Sequence, residues 1–165
     1  MKKTVVEKAK QIKLIATDID GVWTDSKMYY GVDGLLMKSF STYDGMATSL
    51  LLKNNFIVDM ITREWENIEI LKARAKKLNI DEIYFNEKDK LSRIKYLLEK
   101  YDLQMKNIAY IGDDLNDLSV LKEVGLSAMP SQSPILNLFQ PDIVTEKKGG
   151  EGSFRELADL SLIHI

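Results

Sequence analysis

The sequence predicts a doubly wound parallel α/β sheet with a β-hairpin insertion. Short apolar runs recur along the chain, segments with helical spacing of apolar residues separate them, and acidic turn signals follow two of the runs. Strands and helices therefore alternate almost throughout, the pattern that links parallel neighbours in one sheet.

Each element has its own signal. Leu14-Ile15-Ala16-Thr17 reads as a buried strand running into a loop at Asp18-Ile19-Asp20-Gly21. Residues 27–38 set aromatic and apolar side chains around Asp33-Gly34, which predicts a hairpin with an Asp-Gly turn. Residues 44–55 read as a helix whose apolar side is Met46, Leu50, Leu51 and Leu52. A second core strand, 57–61, ends at Thr62, and residues 65–78 fit an amphipathic helix through Ile68, Leu71, Ala75 and Leu78. A short strand at 83–85 leads to a helix over 90–101, and the strand at 108–111 runs into Gly112-Asp113-Asp114. A helix over 115–123, a small strand at 126–128 and a helical stretch at 134–139 come next. An edge strand at 143–144 and a closing helix over 151–162 complete the series. No repeat or low-complexity linker interrupts it, so residues 1–165 are expected to form one domain.

Composition removes several kinds of chemistry. The chain has no cysteine, which excludes disulfides, thiolate nucleophiles and sulfur-ligated metals. Its one histidine, His164, stands beside the C-terminus, so no histidine-based triad can be built. A net charge of −2 provides no field to attract a polyanion, so no nucleic-acid partner is expected. No apolar run is long enough for a membrane span, and the N-terminal residues lack a signal-peptide core; the expectation is no membrane partner and a cytoplasmic location. Carboxylates, hydroxyls, lysines, arginines and hard metal ions are what remain.

The carboxylates are not scattered. Asp18 and Asp20 follow the first strand; Asp113, Asp114 and Asp117 follow the strand at 108–111. Ligands of open α/β sheets bind beyond the carboxyl ends of the strands, where the strand order reverses. Each cluster alone also reads as an ordinary turn. Both together, with Thr62 and Lys90 interleaved at further strand and helix ends, predict an oxygen-rich pocket suited to Mg²⁺.

On these residues the chain resembles the haloacid dehalogenase superfamily. Asp18-Ile19-Asp20-Gly21-Val22 matches its first motif, Thr62 its second, Lys90 its third, and Gly112-Asp113-Asp114-Leu115-Asn116-Asp117 its fourth, in family order over nearly the whole chain. The resemblance implies a Rossmann-like fold and a phosphatase that forms a phosphoryl-aspartate on Asp18. It makes Asp20 the general acid and base, has Thr62 bind a phosphoryl oxygen, and has Lys90 pair with Asp18 and the phosphoryl charge. Mg²⁺ is implied to be held by Asp18, the backbone carbonyl of Asp20, and Asp113, with Asp114 and Asp117 orienting Lys90 and a metal-bound water. Aspartate rather than threonine at position 20 favours hydrolysis over a long-lived phosphoryl-enzyme.

The hairpin and one helix fill the interval from Asp20 to Thr62, and one helix and a short strand fill that from Thr62 to Lys90, leaving no room for a cap domain. The capless branch so resembled comprises 3-deoxy-D-manno-octulosonate 8-phosphate phosphatases and their nine-carbon relatives, whose hairpins meet in a homotetramer. Trp23-Thr24-Asp25, Phe40 with Asp44-Gly45, and Lys148-Gly149-Gly150-Glu151-Gly152 carry that likeness. Thr62-Arg63-Glu64 is more similar to the nine-carbon pattern. The resemblance thus implies a nonulosonate 9-phosphate of sialic or deaminated type, with the eight-carbon 8-phosphate as alternative. Asp44, Gly45, Glu64, Arg74 and Lys77 are the implied substrate contacts. A non-catalytic module, like the domain fused to some sialic-acid cytidylyltransferases, is a further alternative that loss of a catalytic aspartate would favour.

Overall fold

The computed structural model describes residues 3–163; His164 lies outside them. In chain order the elements are α1 (Lys3–Ala9), β1 (Leu14–Thr17), the hairpin strands β2 (Tyr29–Gly31) and β3 (Gly34–Met37), α2 (Thr42–Lys53), and β4 (Ile57–Ile61). Then come α3 (Glu69–Leu78), β5 (Glu82–Tyr84), α4 (Lys90–Tyr101), β6 (Ile108–Ile111), α5 (Leu118–Leu121), β7 (Leu126–Met129), β8 (Ile143–Val144) and α6 (Ser153–Leu162). None of the described helices is long and apolar enough to cross a membrane.

Six strands form one sheet in the order β5-β4-β1-β6-β7-β8, every pair parallel. The strands are apolar on both faces because helices cover both. Leu14, Ala16, Ile61, Ile108 and Tyr110 point into one core layer with Ile94 and Leu97 of α4 and Val120 and Leu121 of α5. Ile15, Val58, Met60, Ala109 and Ile111 point into the other, against α1, α2, α3 and α6. The period of two along each strand assigns these faces.

The chain leaves β1 toward β4 and β5, then crosses back to β6 on the opposite side of β1. The order therefore reverses between β1 and β6, where Thr17 is level with Ile111. Asp18 and the Gly112-Asp113 loop emerge side by side at that edge. No cap domain interrupts the chain: β2, β3 and α2 fill the interval from β1 to β4, and α3 and β5 fill that from β4 to α4.

Local differences from the sequence expectation have local causes. The hairpin turn is centred on Val32 and Asp33, one residue earlier than expected, with Gly31 opposite Gly34. Val32 is β-branched and does not take positive φ; Gly34 does, at 107°. Helix α3 starts at Glu69 instead of residue 65, because Asn67 adopts φ 39° and donates through Nδ2 to the carbonyl of Leu35. The expected 115–123 helix is a 3₁₀ turn (Leu115–Asp117) followed by the short α5, since the Asp117 side chain is turned back onto backbone N–H groups. Residues 134–138, expected to be helical, make turns only. Helix α6 begins after Gly150 (φ 76°) and Gly152 (φ 110°), two residues later than expected. Helix α1, unassigned from sequence, packs Val5 and Ala9 into the core.

Candidate active site

Beyond β1 and β4 lies a pocket of about 460 Å³ lined by Asp18, Asp20, Thr62, Glu64, Asp113 and Asp114, with Ser26, Met28 and Tyr30 of the hairpin region as one wall. Parallel strands put these residues together simply by ending level with one another. The turn Asp18-Ile19-Asp20-Gly21 is tight: Val22, Trp23 and Thr24 all donate backbone N–H to the carbonyl of Ile19. Gly21 has φ 99°, and a Cβ there would lie 1.9 Å from Asp113 Oδ2. Only glycine lets the two acidic loops approach this closely.

Lys90, at the start of α4, is buried beneath the pocket. Its Nζ donates to Asp18 Oδ1 and to Asp117 Oδ1, both at 2.6 Å. Burial works against the charge on Lys90, but Asp18 and Asp117 outweigh it and hold the ammonium above its ordinary range. Asp117 is fully engaged. Its Oδ1 also accepts from Tyr110 Oη at 2.6 Å, while Oδ2 accepts the backbone N–H groups of Asp113 (2.9 Å) and Asp114 (3.2 Å).

Carboxylate oxygens of Asp18, Asp113 and Asp117 come within 4.8 Å of one another. Since Asp117 already accepts four hydrogen bonds, Asp18 and Asp113 are the side chains able to present oxygen to an ion. Burial, and then the Asp117 charge, pushes the Asp18 carboxyl up to about 7, with Lys90 only partly opposing. Burial, followed by the charges of Asp18, Asp117 and Asp114, pushes Asp113 up to about 8. One lysine cannot balance this many carboxylates. The all-oxygen donor set and the uncompensated negative charge fit a hard divalent cation.

Thr62 directly follows β4, its Oγ1 accepting the backbone N–H of Glu64 at 3.0 Å, which leaves its hydroxyl proton for the pocket. Asp20 Oδ1 accepts from Lys38 Nζ at 2.6 Å and from Thr24 Oγ1 at 3.3 Å. Both acidic loops are braced: Ser133 Oγ donates to the carbonyl of Asp113, Gln132 Nε2 to that of Gly21 (2.8 Å), and Gly149 N–H to Gln132 Oε1 (3.0 Å).

Asp18, Asp20, Thr62, Lys90, Asp113, Asp114 and Asp117 are thus assembled at one place, as is Glu64. Asp44, Gly45 and Arg74 gather elsewhere and do not line the pocket. Asp44 is buried at the start of α2, its Oδ1 accepting the backbone N–H of Arg155 at 3.0 Å. Arg74 donates to the carbonyl of Ser41 at 2.9 Å and lies over the Phe40 ring. Lys77 is exposed on α3. Sequence reasoning passed over Lys38, Tyr110, Gln132 and Ser133. Tyr110 did carry a signal: a tyrosine inside a strand buried on both faces needs a partner for its hydroxyl. The others are joined to the site only by folding.

A buried carboxylate held by a buried lysine, beside an acidic pocket suited to a cation at a parallel-sheet switch point, is the site of a phosphatase of the α/β class. The chain belongs to the haloacid dehalogenase-like hydrolases, whose family model matches residues 57–146. It is 36% identical over 159 residues to the 3-deoxy-D-manno-octulosonate 8-phosphate phosphatase of Yersinia pestis, covering 96% of this chain and 84% of that protein. The crystal structure of the Yersinia pestis phosphatase superposes with a TM-score of 0.93 at 36% identity, covering 98% of this chain and 86% of that one. The Moraxella catarrhalis phosphatase of the same name, solved in complex with magnesium ion, phosphate ion and a KDO molecule, gives 0.93 at 32% identity, covering 99% and 93%.

Proposed function

We propose that this chain hydrolyses the phosphomonoester of a 2-keto-3-deoxy sugar acid through a phosphoryl-aspartate on Asp18. The observation that carries the reading is the Lys90 ammonium 2.6 Å from Asp18 Oδ1, with Asp113 close by and the general acid Asp20 on the same loop. An Asp18 oxygen attacks phosphorus as the P–O bond to the sugar breaks, and Asp20 gives its proton to the departing alkoxide. Asp20 then takes a proton from water, whose oxygen attacks phosphorus and releases phosphate and free Asp18. Thr62 donates to a phosphoryl oxygen, while Lys90 and Asp117 hold Asp18 in line. Asp18, the Asp20 carbonyl and Asp113 would hold Mg²⁺, which would supply the positive charge that lets a carboxylate approach a dianionic phosphate.

A basic hollow beside the pocket suits the acid end of the substrate. Arg63 is on the pocket lining and also, with Trp65, Asn86 and Lys88, lines an adjoining hollow of about 490 Å³. Neither Arg63 nor Lys88 has a carboxylate partner among the described residues. The eight-carbon 8-phosphate is supported by the names of relatives at 36% identity. The nine-carbon 9-phosphate, a second reading, rests on Thr62-Arg63-Glu64; against it, Glu64 Oε1 already accepts from two backbone N–H groups and Oε2 pairs with Lys38. Comparing kcat/KM for the two keto-acid phosphates tests the assignment. A preference of neither over p-nitrophenyl phosphate would overturn it.

The hairpin exposes Met28, Tyr29, Tyr30, Val32, Leu36 and Met37 on one small element. Such an apolar concentration supports a homotetramer assembled through the hairpins. Sedimentation at micromolar concentration should give four subunits, and a clean monomer would rule the assembly out.

A further inference from the structure

We infer that Lys38 is a positioning residue for the reaction, fixing Asp20 so that one chosen oxygen handles the leaving-group proton. Lys38 follows β3, and its side chain is 0% exposed. An ammonium withdrawn from water is destabilising unless it is paired and hydrogen-bonded, so its partners are what make the position tolerable. Those partners are Asp20 Oδ1, hydrogen-bonded at 2.6 Å, and Glu64 Oε2, an ion-pair contact at 3.2 Å.

Two donors, Lys38 Nζ and the Thr24 hydroxyl, converge on the same oxygen of Asp20. That oxygen accepts from an ammonium and has no room to carry a proton. Proton delivery therefore falls to Oδ2, on a side chain that is 22% exposed and lines the pocket. Glu64 is itself fixed: Oε1 accepts the backbone N–H groups of Trp65 and Glu66, each at 2.9 Å, and its own N–H donates to Thr62 Oγ1 at 3.0 Å. Asp20, Lys38, Glu64 and Thr62 thus form one connected strut. It runs from the proton donor to the hydroxyl that binds phosphate, with the hairpin supplying its middle member. Holding a catalytic group within a few tenths of an ångström is the purpose such supporting contacts serve.

The inference rests on the reading of Asp20 as proton donor, and leaving-group chemistry separates the two. p-Nitrophenolate departs with little need of a proton, whereas phenolate and a sugar alkoxide need one. We expect Lys38→Met, assayed with saturating Mg²⁺, to lose about tenfold more kcat/KM, which reports the step that expels the leaving group, on phenyl phosphate than on p-nitrophenyl phosphate, within the range general acid catalysis spans. KM should stay within about threefold for both, and Lys38→Arg should recover part of the difference. Glu64→Gln, which keeps the shape of the strut, should show the same differential at smaller size and serves if Lys38→Met does not fold. Equal losses on both esters would reduce Lys38 to a structural ion pair and overturn the inference. A differential in Asp20→Asn with none in Lys38→Met or Glu64→Gln would overturn it alone; no differential in Asp20→Asn would overturn the proton-donor reading and this inference together.

Discussion

Asp18 and Asp113 hold protons near neutrality when no cation balances them, so binding Mg²⁺ has to expel those protons. With carboxyl groups at about 7 and about 8, both are largely protonated at pH 6, and the sum of the two occupancies is about 1.9 protons. At pH 9 it falls to about 0.1 proton by the same arithmetic. The logarithm of the Mg²⁺ affinity should therefore rise by nearly two for each pH unit around pH 6 and become flat by pH 9. Titration calorimetry in two buffers of different ionisation enthalpy counts the released protons directly. The sign for stability follows from the same numbers. Both carboxyls lie above their ordinary 3.8, so the metal-free fold gains from them fully below that value, loses the gain steadily as pH rises from 3.8, and has lost it once pH passes the folded-state values of about 7 and about 8. The metal-free melting temperature should fall over that window, and Mg²⁺ should oppose the fall. Release of fewer than half a proton at pH 6.5, with an affinity independent of pH, would refute the placement of the cation between these two side chains.

Other consequences are as direct. Asp18→Asn should abolish p-nitrophenyl phosphate turnover; more than a tenth of the wild-type rate would remove the nucleophile assignment. Gly21→Ala should weaken Mg²⁺ binding by at least about tenfold, read by titration, because its Cβ would meet Asp113 Oδ2 at 1.9 Å. Lys90→Met leaves two buried carboxylates facing each other and should cost about 3–5 kcal/mol by urea unfolding; a loss under 1 kcal/mol would show that the pair is not truly buried. Asp59 on β4 is fully buried with neither carboxylate oxygen hydrogen-bonded, and burial, then the Glu82 charge, raises it well above its ordinary value. Asp59→Val should add about 1–3 kcal/mol at pH 8 and less at pH 5, since the wild-type fold must retain a proton there; a lower melting temperature at pH 8 would contradict this.

Much of the fold was legible because each strand is a short apolar run that needs no distant context to be recognised. β1, β4, α4, β6 and β8 occupy the predicted residues. Helix starts were less legible. The break at Asn67 depends on a hydrogen bond to Leu35 across the hairpin, and the brevity of α5 depends on Asp117 turning toward two backbone amides. The site divides the same way. Asp44, Gly45 and Arg74 do come together, yet at α2's first turn and off the pocket lining, which spacing along the chain cannot reveal.

From its residues alone the chain determined that the Asp18–Gly21 loop, Thr62, Lys90 and the Gly112–Asp117 loop would gather at one place. Each of these stands at a strand or helix end, and a parallel sheet brings such ends to one edge whatever lies between. Only the tertiary structure decided that Lys38 reaches Asp20 and Glu64, that Tyr110 and two backbone amides occupy Asp117, and that Gln132 and Gly149 hold the Gly21 turn. These contacts join segments remote in sequence, with no periodicity to announce them. They exist because buried charges and carbonyls must find partners once water is excluded.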